Sequence, residues 1–269
     1  MPMSPRKRAQ VFRGAQYGIL VLALAAVAFF ANWEKLGDAF FNLDAMSTQF
    51  PGIITTALVN TIIYTALGFA LGLAIGLVLA LMKLSSVGPY RWIATVYIEF
   101  FRGVPALLVF IALGFGVPLA FQLQFDTYST AAIALGLVGS AYIAETLRAG
   151  IQAVPKGQVE AARSLGMSQS RATFTVVIPQ AFRIILPPLT NELILLTKDS
   201  SLIYLLGLLG SEYELAKFGR EGMNATNSMS PILLAGLCYL IITVPLGYLS
   251  RYLERRAGRQ RDEGLEVTA

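Results

Sequence analysis

Six stretches of this chain stay apolar for roughly 20 residues or more, and no other feature narrows its fold as far. They lie near 14–33, 53–82, 92–120, 128–149, 184–206 and 231–250. A helix of about 20 apolar residues crosses the hydrocarbon of a bilayer, where the backbone must satisfy its own hydrogen bonds. The sequence therefore predicts an all-α fold, a polytopic bundle of transmembrane helices. Composition agrees: 14% of the residues are charged, against about 25% in soluble domains. The second and third stretches are long enough to tilt. The fifth is the least clean, because Glu192, Lys198 and Asp199 fall inside it.

Basic residues set the orientation. With the N-terminus in the cytoplasm, 16 of the 21 lysines and arginines fall on that side, Arg6, Lys83, Lys156, Arg183 and Arg255 among them. Only Lys35, Lys217 and Arg220 fall outside, while Arg102 and Lys198 lie within helices. This bias predicts cytoplasmic N- and C-termini. It also accounts for the net charge of +5 without a nucleic-acid partner. The first stretch reads as a retained anchor. A signal peptide cut near Ala26 and Ala28 is the competing reading, without a clear cleavage site. Residues 34–50 predict a short helix on the outer surface through Leu36, Phe40 and Leu43. Residues 211–230 predict a polar cap over the mouth of the bundle. The charged tail after Arg251 is expected to fray.

The chain has no histidine and one cysteine, Cys238. That excludes disulfides, zinc or other Cys/His metal sites, and Ser/His/Asp or Cys/His catalysis. No G-x-x-x-x-G-K-[ST] phosphate loop occurs, so the chain has no means of cradling ATP.

Small and polar residues mark the helix faces. Asn60, Tyr64, Gly68, Gly72, Gly76 and Ala80 recur every four residues, and Ala132, Gly136, Ser140 and Ala144 form a second stripe. Such stripes let helices approach closely in lipid. Asn60 and Thr61, at the polar upper end of the first stripe, are candidates for lining a watery path. Glu99 with Arg102, and Glu145 with Arg148, stand three apart and can pair at the cytoplasmic boundary. Glu192 lies nine residues beyond Arg183, about 14 Å deeper and near mid-bilayer. A carboxylate there faces either the bundle interior or water. Glu192, with Asn191 and Ser201, is a candidate for a substrate path. The alternative is an internal pair with Lys198 or Arg102.

The longest inner segment runs from Ala149 to Arg183. Pro155 suits a helix start and Gly166 a stop, with Val159, Ala162 and Leu165 as an apolar stripe. Ser168 is placed to cap a second short helix through Val177, ended by Pro179. Glu160-Ala161-Ala162, then Gly166, then Ile178-Pro179 resembles the signature loop of bacterial ABC importer permeases. The flanks narrow the resemblance. Phe101-Arg102-Gly103-Val104-Pro105, Glu145-Thr146-Leu147-Arg148-Ala149-Gly150, Pro187-Pro188-Leu189-Thr190-Asn191-Glu192 and Lys198-Asp199-Ser200-Ser201 are similar to the polar amino acid subfamily, the histidine/glutamine/glutamate type.

That resemblance covers about residues 50–256 and implies a type I importer core of five helices. Residues 1–50 form an added helix with its outer segment, 51–251 the core, 150–180 the coupling segment and 252–269 a charged tail. It implies a multi-pass protein of the prokaryotic plasma (inner) membrane. It also implies partners: two ATPase subunits that carry ATP and Mg, a second permease subunit (same or related), and an extracytoplasmic amino acid binding protein. Pro155, Gly157, Glu160, Ala161, Ala162 and Gly166 would dock on the ATPase, and an Asn-Glu pair at 191–192 would face the ligand. An ion-coupled secondary amino acid transporter is the main rival, although it should show an inverted repeat and none is seen. A Ser–Lys hydrolase built on Lys198 with Ser200 or Ser201 is the other. The purified chain alone is expected to show no ATPase activity; turnover that survives removal of every copurifying protein would contradict this.

Overall fold

The computed structural model describes residues 5–266, all helix and connecting loop among the described residues. Helix α1 spans Pro5–Phe30. Two short helices follow, α2 (Trp33–Phe40) and α3 (Leu43–Ser47), where the sequence suggested one. Asn32 and Asn42 cap them by accepting from the Lys35 and Ala45 amides, which is why the segment divides. A π turn at Ile53–Leu58 runs into α4, Val59–Leu84. Then come α5 (Gly88–Gly103), α6 (Ala106–Ile111), a π turn at Ala112–Gly116 and α7 (Val117–Phe121). Next are α8 (Thr127–Gln152), α9 (Lys156–Ser164) and α10 (Gln169–Ala172). A π turn at Thr173–Val177 leads into α11 (Ile178–Asp199), and a 3₁₀ segment follows at Ser200–Leu206. The chain closes with α12 (Leu215–Thr226) and α13 (Ser230–Glu266).

Three expectations change. The stretch 92–120 is not one helix: it breaks at Val104–Pro105 and bends by 102°. Proline disfavours an α conformation in the residue before it, and Val104 is extended, with φ −92° and ψ 132°. Pro179 does not end a helix, because the π turn before it shifts the hydrogen-bond register and leaves room for its ring. Helix α13 does not stop at Arg251 but continues to Glu266, in keeping with the helix-forming Arg, Glu, Leu and Ala that follow. Residues 267–269 of that tail lie outside the described residues. Among the described residues, five helices are long and apolar enough to cross a membrane, or six when the bent pair counts as one span.

The glycine face of α4 packs on the small face of α8. A methyl group on Gly76 would lie 3.0 Å from the Ser140 carbonyl oxygen and 2.9 Å from Ile143 Cγ2. Around this seam lie three apolar clusters. Leu79, Ile98, Ile143 and Ala181 fill the end near α9. Tyr64, Phe110, Leu135 and Leu196 fill the opposite end. Ile53, Leu215 and Cys238 join the π turn before α4 to α12 and α13. The span of α1 buries nothing against the rest of the described chain. It hangs from α2 and α3, which are fastened to the start of α13 by the Met229 amide on Ala39 O (2.7 Å) and the Asn42 amide on Ser230 Oγ (2.9 Å).

At the end opposite α9, the loop before α12 is tied down from α4 and α13. Asn60 Nδ2 donates to the Ser211 and Tyr213 carbonyls (2.9 and 3.0 Å), and Tyr64 Oη donates to the Glu212 carbonyl (2.9 Å). Glu214 is fully buried and caps α12, accepting from the Ala216 and Lys217 amides (2.6 and 2.7 Å) and from Tyr239 Oη (3.0 Å). Burial outweighs these bonds and pushes its carboxyl up to about 7. A carboxyl raised in the folded state ionises first in the unfolded chain. Its contribution to stability is therefore whole below about pH 4.5 and is lost as pH rises through 7. The loss is on the order of 3 kcal/mol. Glu214→Gln is expected to flatten the fall in melting temperature between pH 5 and 8; an unchanged slope would contradict the assignment.

Candidate functional site

The break in the third span forms an open-sided cavity of about 400 Å³ against α8 and α11. Its walls are Arg102–Ala106 at the break, Val138, Gly139 and Tyr142 of α8, and Glu192, Leu195, Leu196 and Asp199 of α11. Glu192 and Asp199 stand seven residues apart, two turns on one helix face. The Arg102 guanidinium lies over the Tyr142 ring, 5.6 Å from its centre. Thr146 stands beside the Glu192 carboxyl, and Arg102 bears on it electrostatically. One cation and two carboxylates thus share an otherwise apolar chamber, the composition of a site that orients a small charged molecule.

Of the residues read as a path from sequence, Glu192 alone lines this cavity. Asn60 is occupied elsewhere: besides its two carbonyl partners it accepts from Tyr128 Oη at 3.3 Å. Thr61 is fully buried, donating to the Ala57 carbonyl and accepting from the Leu215 amide. Both hold the loop before α12 rather than a watery wall. Asn191 turns to α13, where its Oδ1 accepts from Ser250 Oγ at 3.1 Å. Ser201 sits in the 3₁₀ segment beyond the cavity. Glu192 forms no ion pair with Lys198 among the described residues, since six residues along a continuous helix do not share a face.

The boundary pairs divide. Glu145 binds Arg148 (2.6 Å) and also Lys83 of α4 (2.5 Å), so it bridges α4 and α8. Glu99 and Arg102 form no ion pair among the described residues: the helix ends at Gly103, and Arg102 turns to Tyr142 and the cavity while Glu99 stays exposed. Tyr142 and Asp199 were missed as cavity residues. The seven-residue spacing of the two carboxylates was a legible signal, but the Val104–Pro105 bend that brings Arg102 to them was not.

A second site projects from the other end. Pro155 starts α9, and Gly166 ends it in a left-handed conformation, φ +87°. The Gly166 amide donates to the Arg163 carbonyl (2.9 Å) and the Met167 amide to the Ala162 carbonyl (3.2 Å), a Schellman closure. Ser168 then caps α10. Ala162 is buried against the bundle, while Gly157, Glu160 and Ala161 are exposed. Leu165, placed on the inward stripe by its spacing, points out instead and is 82% exposed, with Phe174 of the adjoining π turn 70% exposed.

A family model for the inner membrane component of binding-protein-dependent transport systems matches residues 72–259. The chain belongs to this family. The permease is 37% identical over 177 residues to the arginine transport system permease protein of Bacillus subtilis, covering 66% of this chain and 80% of that one. Over 221 residues it is 35% identical to the L-cystine transport system permease protein of the same organism, covering 80% and 91%. Its fold matches the crystal structure of an amino acid ABC transporter with histidines, with a TM-score of 0.70 and 35% identity over 78% of this chain and 96% of that one. Likeness to an inward-facing methionine ABC transporter (TM-score 0.57, 16% identity, 74% and 92% covered) concerns the fold alone.

Proposed function

We propose that this permease imports polar amino acids, with cationic ones favoured, through the cavity that holds Arg102, Glu192 and Asp199. The observation that carries the reading is the charge balance of that chamber. An amino acid's carboxylate pairs with Arg102 and its ammonium with Glu192 through charge-assisted hydrogen bonds. Asp199 then leaves a negative charge for a basic side chain. Relatives named for arginine, glutamine and cystine transport support the substrate class. Membership of a binding-protein-dependent family sets aside the ion-coupled and hydrolase readings.

The partners follow from the same reading: two ATPase subunits that bind ATP and Mg, a second permease copy or relative, and an external binding protein. The lysine and arginine bias supports a cytoplasmic position for α9 and both termini. α9 docks on the ATPase through its exposed Glu160 face, with Leu165 and Phe174 as apolar groups that need cover on the water side. Movement of the ATPase pair then tilts α9 and the helices rooted beside it, giving alternating access to the cavity.

Two tests apply. Amino acid binding to the purified permease–ATPase complex, without the binding protein, is measured calorimetrically. Loss of a charged hydrogen bond is worth about 1.5–3 kcal/mol, so Glu192→Gln should weaken binding roughly tenfold or more. Asp199→Asn should erase the preference for arginine or lysine over glutamine; an unchanged profile in both variants would sink the cavity assignment. For coupling, Gly166→Pro cannot adopt the required positive φ, and Glu160→Lys reverses a charge on the docking face. Both chains should insert normally yet lose most transport in reconstituted vesicles; normal transport by either refutes docking by that residue.

A further inference from the structure

The cavity's two walls continue outward into two irregular segments that meet. Past Asp199 the chain runs for seven residues as a 3₁₀ helix, Ser200–Leu206, until Gly207 turns it with φ +74°. Runs of that kind beyond three or four residues are uncommon and mark hinges. Past Ala106 the other wall climbs through α6 into the π turn at Ala112–Gly116. The two meet where Leu206, the last residue of the 3₁₀ segment, sits against Gly114. A methyl group on Gly114 would overlap Leu206 Cδ2. Ile203 and Phe110, both fully buried, belong to the apolar cluster against which Leu206 packs.

The segment is also gripped from outside. Tyr204 lies beneath the Arg220 guanidinium of α12, 5.4 Å from the ring centre. Leu208 is buried just beyond it, and the loop at 211–213 is held by Asn60 and Tyr64. The 3₁₀ segment thus links α11 to the held loop before α12, with Gly207–Gly210 as slack between them.

We infer that Leu206 seated at Gly114 is the outer seal of the cavity, and that the Ser200–Leu206 segment is the strap that lifts it. This rests on the reading that the cavity holds the amino acid and that this end faces outward. A 3₁₀ helix rises about 2.0 Å per residue and an α-helix 1.5 Å. Rewinding seven residues to α-helix shortens the strap by about 3.5 Å, enough to draw Leu206 off Gly114 without unpacking α4 from α8. Arg220 gives the strap a handle on α12, on the face where an external protein would press. Glycine at 114 is needed because the leucine occupies the place of a side chain.

The test uses the full transporter complex in vesicles of known orientation, with Cys238→Ser and Ala106→Cys introduced together. A membrane-impermeant thiol reagent added outside should modify position 106 slowly in the parent. Leu206→Ala removes the plug and should speed modification at least tenfold. Adding Gly114→Ala to Leu206→Ala refills part of the gap and should slow it again. In a Cys238→Ser chain, crosslinking Gly114→Cys to Leu206→Cys should block transport, and reduction should restore it. That crosslink keeps the proposal falsifiable if Leu206→Ala fails to assemble. Unchanged outside modification in Leu206→Ala, acceleration only for reagent trapped inside, or transport unaffected by the crosslink would each overturn the seal. If Leu206→Ala speeds modification but added arginine gives no protection at position 106, the substrate reading fails and the seal stands.

Discussion

Close contact between α4 and α8 is the constraint on which the rest of this structure depends. Lipid offers helices no hydrophobic reason to associate, so affinity comes from packing contacts at short range. Gly68, Gly72 and Gly76 meet Leu135, Gly136, Ser140 and Ile143 without intervening side chains on the α4 side. Glu145, paired with both Lys83 and Arg148, then locks the α9 end of that seam by bridging α4 and α8. With α8 held in this way, Val138, Gly139 and Tyr142 become one wall of the cavity, and α5 and α11 close the others.

Irregular backbone is concentrated where the molecule needs it. Within a bilayer such backbone is tolerated only when it is buried in protein or lines a cavity. The Val104–Pro105 break lines the cavity, and the 3₁₀ strap and the Ala112–Gly116 π turn meet above it. The π turn at Thr173–Val177 lies at the root of α11, between the exposed face of α9 and the helix that carries Glu192 and Asp199.

Some of this was legible in the residues. Prolines, glycines and cap residues act within a turn of themselves, so Pro155, Gly166 and Ser168 marked the boundaries of α9 and α10 correctly. The rise per residue set Glu192 well inside its span, and it does line the cavity. Partners were less legible. Arg102 was paired with Glu99 because both sit on one ideal helix, but the helix stops one residue later and the side chain turns to a different helix. Asn60 looked like a path residue because it is polar and buried in an apolar span. Its actual partners are the carbonyls of residues 211 and 213, about 150 positions away, which no local pattern could announce.

The sequence by itself determined that the chain spans a membrane, which way basic residues bias it, where most helices begin and end, and which family's motifs it carries. All of these follow from the solvent, from charge and from interactions within a few residues. Only the tertiary structure decided which polar groups share a chamber and which are used to tie loops. The 102° bend at Val104–Pro105 sets where Arg102 goes, and the glycine seam sets how near α8 and α11 come to it. Direction and distance between helices are properties of packing, and packing is settled by contacts that are far apart in sequence.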